Sequence, residues 1–250
     1  MLKWSAALLV GGLLYGQSPG PVFEATSVKH LGNAAAVMVG PGTSPGVTRA
    51  CRYEDTKVTC RQPLLALMQE AYGVHSWQVQ GPDWIDAEIY EVAATMPAGT
   101  TRETARLMMR AMLADRLGLK LRTDQKEFAI YALTPTKGGP KLTEIEKPAR
   151  FSYGIVAGNG EDTLRFEGKP GIPMAAFVVY LQGPAGRPVI DETGLKGYYA
   201  FDLEWTRAPE DRKNAGILST LGKVGLKLEP QKKLYDVLVI EKASREPTEN

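Results

Sequence analysis

Histidine is nearly missing from this chain of 250 residues: His30 and His75 are the only two. They lie in different segments and lack the helical spacing of a zinc-binding pair, so no resident metal is expected and each reads as a surface or loop residue. An excess of one charge is missing too. The 30 basic and 28 acidic residues leave a net charge of +2 without a basic stripe or acidic tail. That balance argues against nucleic acid as a partner, because neutralising phosphates needs clustered Lys and Arg. No Gly-x-Ser-x-Gly elbow, Walker loop or dinucleotide fingerprint occurs. The glycine-rich stretch 154–160 has no Lys-Ser/Thr helix start after it and reads as a turn. No cofactor is therefore expected. Beyond residue 15 no apolar run is long enough to span a bilayer.

What is present begins with a targeting segment. Lys3 supplies a positive start, residues 4–15 are apolar and uncharged, and Gly16-Gln17-Ser18 is followed by the breakers Pro19, Gly20 and Pro21. Residues 1–18 read as a secretory signal peptide, with an uncleaved membrane anchor as the alternative, since Leu14 and Tyr15 make a poor small-x-small site. The expected location is extracytoplasmic, periplasmic or secreted. Cys51 and Cys60, the only cysteines, suit that compartment as a disulfide across a hairpin whose polar turn lies between them. A redox pair is the weaker reading, because such cysteines stand closer together at a helix start.

The chain repeats itself. Gly118-Leu119-Lys120-Leu121 returns as Gly225-Leu226-Lys227-Leu228; residues 129–133 and 236–240 align at the same offset, and residues 88–94 face 197–203. Pro63-Leu64 and Pro173-Met174 open matching apolar runs. The small drift between these offsets is what loop insertions produce between two copies of one unit.

Each copy reads helix, strand, strand, helix, strand, strand. Leu64, Leu67, Met68, Ala71 and Tyr72 give the first helix an apolar stripe, and Ala105, Met108, Met109, Met112, Leu113 and Leu117 the next, behind a Thr100/Glu103 capping box. Gly118 ends that helix, and residues 119–122 and 128–134 read as strands joined by a polar turn, 123–126. In the second copy a helix opens at Pro173 and another near Asn214, after a polar stretch at 207–213; the strands are 189–190, 198–203, 226–228 and 235–241. A strand at 22–29 and a Gly/Pro-rich loop at 40–46 precede the first copy. Short turns between strands require antiparallel pairing. The expected class is α+β: two homologous repeats, mainly antiparallel sheets, and helices on one face. The expected divisions are 22–143, the N-terminal strand with the first repeat, and 151–243, the second.

Candidate chemistry is thin. Asp83, Asp86 and Glu88 flank Trp84, and paired carboxylates suit hydrolytic acid/base work. A turn-forming role competes with that, because Asp191-Glu192-Thr193-Gly194-Leu195 occupies the matching turn of the second copy. The methionines of the second helix suit either core packing or an adaptable surface. Tyr199, Phe201 and Trp205 share one strand parity and, if exposed, are the best contact surface in the chain.

Several motifs occur together in order: residues 22–29 after the signal, Ala71-Tyr72-Gly73, Gly81-Pro82-Asp83-Trp84, residues 113–120, Lys137-Gly138-Gly139-Pro140-Lys141-Leu142, and residues 186–197 from Gly186-Arg187-Pro188 to Leu195-Lys196-Gly197. In these the chain resembles a soil-associated family of secreted bacterial proteins built on a domain of unknown function. The resemblance covers nearly all of the mature chain and implies export and a shared fold rather than a reaction. In some relatives a similar domain follows an antibiotic-sensor-type membrane metallopeptidase, whose signature this chain lacks. Cys51 and Cys60 depart from the family's usual pattern. Residues 187–204 also resemble the N-terminal interaction domains of secretins and TonB-dependent receptors. The combined expectation is a non-catalytic binding or interaction module for an envelope protein or cell-wall ligand; the alternatives are an extracytoplasmic hydrolase and a structural envelope component.

Overall fold

The structure, a computed structural model, describes residues 20–33, 51–160, 162–206 and 215–249. The signal segment, the loop at 40–46 and the polar stretch at 207–213 lie outside the described residues. The described residues fall into two compact units, one within 1–123 together with those after 237 and the other within 124–237.

The first unit holds an antiparallel sheet in the order β1-β5-β3-β2, made of Ala25–Asn33, Glu88–Thr95, Lys57–Pro63 and Arg52–Tyr53 respectively. Alternation decides its inner face: Val58 and Cys60 of β3 and Tyr90, Val92 and Ala94 of β5 are buried. On that face pack α1 (Leu64–Tyr72) through Leu64, Leu67, Met68 and Ala71, and α2 (Arg102–Arg116) through Ala105, Met108, Met109, Met112 and Leu113. All three methionines are thus core residues. The cap of α2 falls one residue later than the sequence pattern suggests: the Thr101 hydroxyl accepts from the Thr104 N–H at 3.1 Å, while the Thr100 hydroxyl donates to the Pro97 carbonyl. Cys51 and Cys60 form a disulfide with their Cα atoms 4.4 Å apart, next to the β2–β3 pair Arg52↔Thr59.

The second unit contains two three-stranded antiparallel sheets. One has the order β10-β12-β7 (Ile172–Pro173, Tyr198–Ala200, Thr143–Ile145) and the other β13-β9-β8 (Asp202–Thr206, Thr163–Lys169, Ser152–Ala157). Helix α3 (Met174–Ala185) and a 3-10 helix, Ala215–Val224, supply Phe177, Val178, Leu181, Ile217 and Leu221 to its core. Phe166 sits at the centre, with ring centroids 4.7 Å from Tyr180, 5.1 Å from Phe177 and 6.0 Å from Phe201.

A fourth sheet has the order β11-β6-β14-β4, with β6 (Lys120–Pro135) and β14 (Leu226–Lys242) as its long strands. Within the first unit β4 (Val79–Gln80) runs parallel to the end of β14, pairing Val79 with Leu238; within the second, β11 (Val189–Asp191) runs parallel to the end of β6, pairing Val189 with Tyr131. The polar turn expected at 123–126 does not exist, because β6 continues through it as one strand of 16 residues. Residues 122–127 are exposed, so a polar run there records solvent on the side chains, not a bend in the backbone. The chain beyond residue 225 behaves likewise: one strand of 17 residues replaces the two expected. Mixed α and β content with mostly antiparallel sheets is the class the sequence implied.

Candidate functional site

Three carboxylates were the sharpest chemical candidates in the sequence, and they do not form one site. After β4, Gly81 passes so close to the Ile240 and Ile85 side chains that a Cβ would meet them. Pro82 is extended, and the chain then winds into a 3-10 turn, Asp83–Asp86, closed by the Ile85 N–H on the Pro82 carbonyl (3.2 Å) and the Ala87 N–H on that of Trp84 (3.1 Å). Ile85 is buried beneath the turn, whereas Asp83 and Asp86 are exposed on the rim of a cleft of about 360 Å³ beside Leu65, Val79 and Gln80. Trp84 carries the Arg245 guanidinium 5.5 Å over its ring. Glu88 does not line this cleft. Its carboxylate meets His30 Nε2 at 2.9 Å.

His30 is therefore a clamp rather than a loop histidine. Its Nδ1 contacts the Glu246 carboxylate at 2.8 Å, and its ring stacks on Tyr90 with centroids 5.2 Å apart. The Tyr90 hydroxyl donates to the Arg245 carbonyl at 3.0 Å, so β1, β5 and the segment after β14 are tied at one point. Burial alone would lower the His30 pKa, but the hydrogen bonds to Glu88 and Glu246 outweigh it and raise the value above the usual 6.5. Burial, then the charges of Glu88 and Glu246, pushes the Tyr90 phenol up. Because protonated His30 is favoured in the folded chain, its contribution is complete below the ordinary histidine pKa and is lost as pH rises through the raised one. His75, stacked on Trp77, is pushed down by burial, and its contribution fades instead as pH falls. The difference in thermal midpoint between wild type and His30→Gln isolates the clamp: it should be largest near pH 5.5 and shrink by about pH 8.5. A pH-independent difference would show that the clamp does not titrate.

A second polar cluster pins α1 to α2. Glu70 accepts from Arg102 at 2.9 and 3.0 Å, from Arg106 at 3.4 Å and from the Tyr53 hydroxyl at 3.1 Å, and the Arg102 guanidinium lies 4.0 Å over the Tyr53 ring. Burial, reinforced by the Glu70 charge, pushes the Tyr53 phenol up to about 12. The Arg110 Nε donates to the Ala71 carbonyl at 2.8 Å. These arginines knit two helices together.

The aromatic trio does not meet the condition of exposure. Tyr199 and Trp205 are each only 5% exposed, and Phe201 packs on Phe177 with centroids 4.9 Å apart. Their shared parity is that of the inner face. The Asp191 turn is a folding device: its carboxylate accepts from the Thr193 N–H (2.9 Å) and hydroxyl (2.7 Å), and the Thr193 oxygen accepts from the Leu195 N–H (3.1 Å). Glu192 pairs with Lys233 and accepts from Gln231, and the Lys233 hydrogen bond holds its carboxyl below the usual range.

The concave surfaces are shallow. A cleft of about 520 Å³ lies between β13 and the 3-10 helix, lined by Thr163, Glu204, Trp205, Ser219, Thr220 and Lys223. Its polar groups serve the local fold: the Ser219 hydroxyl donates to Gly216, that of Thr220 to Ile217, and the Lys223 ammonium to the Glu204 carbonyl. A groove of about 380 Å³ between the start of β1 and α2 differs in character. Val22, Phe23, Met108 and Met112 give it apolar walls, and Asp115 and Arg116 close one end. Val22 at its mouth is 61% exposed, and Leu107, one helical turn before the lining residue Ala111, is 40% exposed. Sequence reading missed this groove. Leu107 is the one signal that pointed to it: an apolar residue off the buried stripe of α2. Among the described residues no group of three His, Cys, Asp or Glu could hold a metal ion, and no helix is long and apolar enough to cross a membrane.

These features define a pair of compact units of mixed α and β content, mostly antiparallel, whose ionisable clusters brace secondary structure. The chain belongs to the family described as "Protein of unknown function (DUF3738)", whose model matches residues 65–243. The match begins inside α1 and ends just past β14, so the disulfide lies outside it. No curated protein and no solved structure compared with the chain matches it. The family carries no assigned reaction, and no catalytic function is indicated.

Proposed function

We propose that this chain is an exported binding module, built from two homologous α+β halves at 22–143 and 151–243, that engages an envelope partner through the groove between the start of β1 and α2. One observation carries the reading: exposed Val22 lines a concave surface floored by Phe23, Met108 and Met112, and exposed Leu107 stands one helical turn from its lining residue Ala111, while the ionisable clusters elsewhere brace the fold. A groove of that volume lies within the usual range of ligand sites, and an apolar wall with a charged end suits an apolar side chain next to a polar group.

Duplication is supported by strand pairing as well as by sequence. Pro63 pairs with Ile89 and leads into α1, and Pro173 pairs with Tyr198 and leads into α3. Both helices end at a left-handed glycine, Gly73 and Gly186. A short parallel strand follows each, β4 on β14 and β11 on β6. Export is supported by residues 1–18, by the disulfide, and by the likeness to secreted soil-bacterial proteins, some of whose relatives carry a similar domain behind a sensor metallopeptidase.

The test is capture from envelope extract by wild type and Leu107→Asp. Leu107 lies outside the core, so the substitution should leave the thermal midpoint nearly unchanged while lowering capture at least about tenfold, the effect of placing a charge on an apolar contact. Equal capture by both proteins would refute the groove. The hydrolase alternative, at Asp83 and Asp86, would instead require an activity that Asp83→Asn or Asp86→Asn abolishes.

A further inference from the structure

We propose that β8 is a self-pairing edge through which two copies of this chain associate, a surface separate from the groove. Among the described residues the order β13-β9-β8 leaves one side of β8 without a partner strand. No residue of Ser152–Ala157 is buried, and the strand carries neither a charge nor a proline, the usual guards of an edge. Two other edges, those of β13 and β1, are protected. The 3-10 helix packs on β13, and β1 carries Lys29 and a bulge between His30 and Gly32.

Backbone direction fixes which groups are available. The Gly158 N–H bonds the Thr163 carbonyl at 2.9 Å, and Val156 and Gly154 pair with Arg165 and Glu167. In an antiparallel ladder the peptide groups of alternate residues face one partner. Those of Gly154 and Val156 face β9, and those of Tyr153, Ile155 and Ala157 face outward. Two copies can pair all three outward residues only when they run antiparallel with Ile155 opposite Ile155. Tyr153 then lies opposite Ala157, and Val156 opposite Gly154, so on either side of the central Ile155 pair a larger side chain meets a small one. Space for this exists: a Cβ on Gly154 would touch nothing within 4 Å. The nearest flanking charges agree: within five residues Lys147 and Arg150 precede the strand and Glu161 and Asp162 follow it, with Glu144 and Glu146 lying further back. Antiparallel pairing brings the basic flank of one copy to the acidic flank of the other, which favours a second copy over an arbitrary peptide strand. A contact of 6 residues per copy buries less than the ~1,200–2,000 Å² of a stable complex, so association is reversible and concentration-dependent.

Sedimentation equilibrium on the exported chain tests this, with Val156→Lys and Ala157→Pro as variants. The first places like charges beside the symmetric seam, and the second removes an outward N–H without breaking the ladder to β9. Wild type should show a monomer–dimer equilibrium, and each variant should associate at least about tenfold more weakly with an unchanged thermal midpoint. Amide exchange at Tyr153, Ile155 and Ala157 in wild type should slow as concentration rises, a readout that survives if a variant fails to fold. A chain that stays monomeric throughout, variants that associate as wild type does, or exchange at these amides that ignores concentration would each overturn the proposal. Envelope capture through Leu107 is unaffected by any of these outcomes, so the two readings fail separately.

Discussion

Gly225→Ala should destabilise the second unit by about 3 kcal/mol or more, whereas Gly118→Ala, the same change in the same Gly-Leu-Lys-Leu motif, should cost only about 1 kcal/mol. Both glycines are left-handed, with φ of 56° at Gly118 and 71° at Gly225, so both substitutions carry the backbone penalty of an L-residue there. Their surroundings differ. A Cβ on Gly118 meets nothing within 4 Å, but on Gly225 it collides with the Gly139 carbonyl oxygen and approaches the Lys141 nitrogen. The segment from Thr136 to Lys141 is laid across this point by hydrogen bonds from the Thr136 N–H to the Gly225 carbonyl (2.8 Å) and from the Lys141 N–H to the Val224 carbonyl (2.9 Å). Backbone cannot rotate aside as a flexible side chain can, so the collision must be relieved by breaking one of those bonds. Denaturant midpoints of the two variants check the difference; equal losses would mean that the 136–141 segment does not cover Gly225.

Reducing the Cys51–Cys60 disulfide should lower the thermal midpoint by about 5 °C, the effect of roughly 2–3 kcal/mol on a chain of this size. Nine positions separate the cysteines, and the bridge acts mainly by restricting so short a loop in the unfolded chain. Both half-cystines are buried in the first core, at 7% and 3% exposure, so Cys51→Ser with Cys60→Ser adds the cost of burying two hydroxyls and should exceed simple reduction. Thermal scans with and without reductant measure the first effect, and thiol titration of the unfolded, unreduced chain should find no free thiol. An unchanged midpoint on reduction would show that the hairpin closes equally well without the bridge.

Much of the architecture was legible locally, because helix stripes and strand alternation depend on neighbours in sequence. The spacing of Leu64, Leu67, Met68 and Ala71 gave α1, and that of Ala105, Met108, Met109, Met112 and Leu113 gave α2; both stripes are buried. The hairpin between the cysteines was legible from its polar turn. Residues 122–127 misled for the converse reason. Polarity marks solvent, and a strand exposed over several residues is as polar as a turn, so only its pairing with β14 distinguishes the two. The aromatics failed similarly: parity places Tyr199, Phe201 and Trp205 on one face but does not say whether that face is inner or outer. His30 was not legible at all, since its partners Glu88 and Glu246 stand 58 and 216 residues away.

By itself the sequence determined the mixed α and β content, the stripes of the first two helices, the pairing of its two cysteines and the absence of any recognisable catalytic motif, all of which follow from short-range pattern or from counting. Tertiary structure alone decided which faces are buried, that β6 and β14 run unbroken, that Glu88 serves His30 rather than Asp83, and that β8 is an edge among the described strands. Those outcomes depend on contacts between residues distant along the chain, where burial and hydrogen-bond satisfaction are set by the partner rather than by the local pattern.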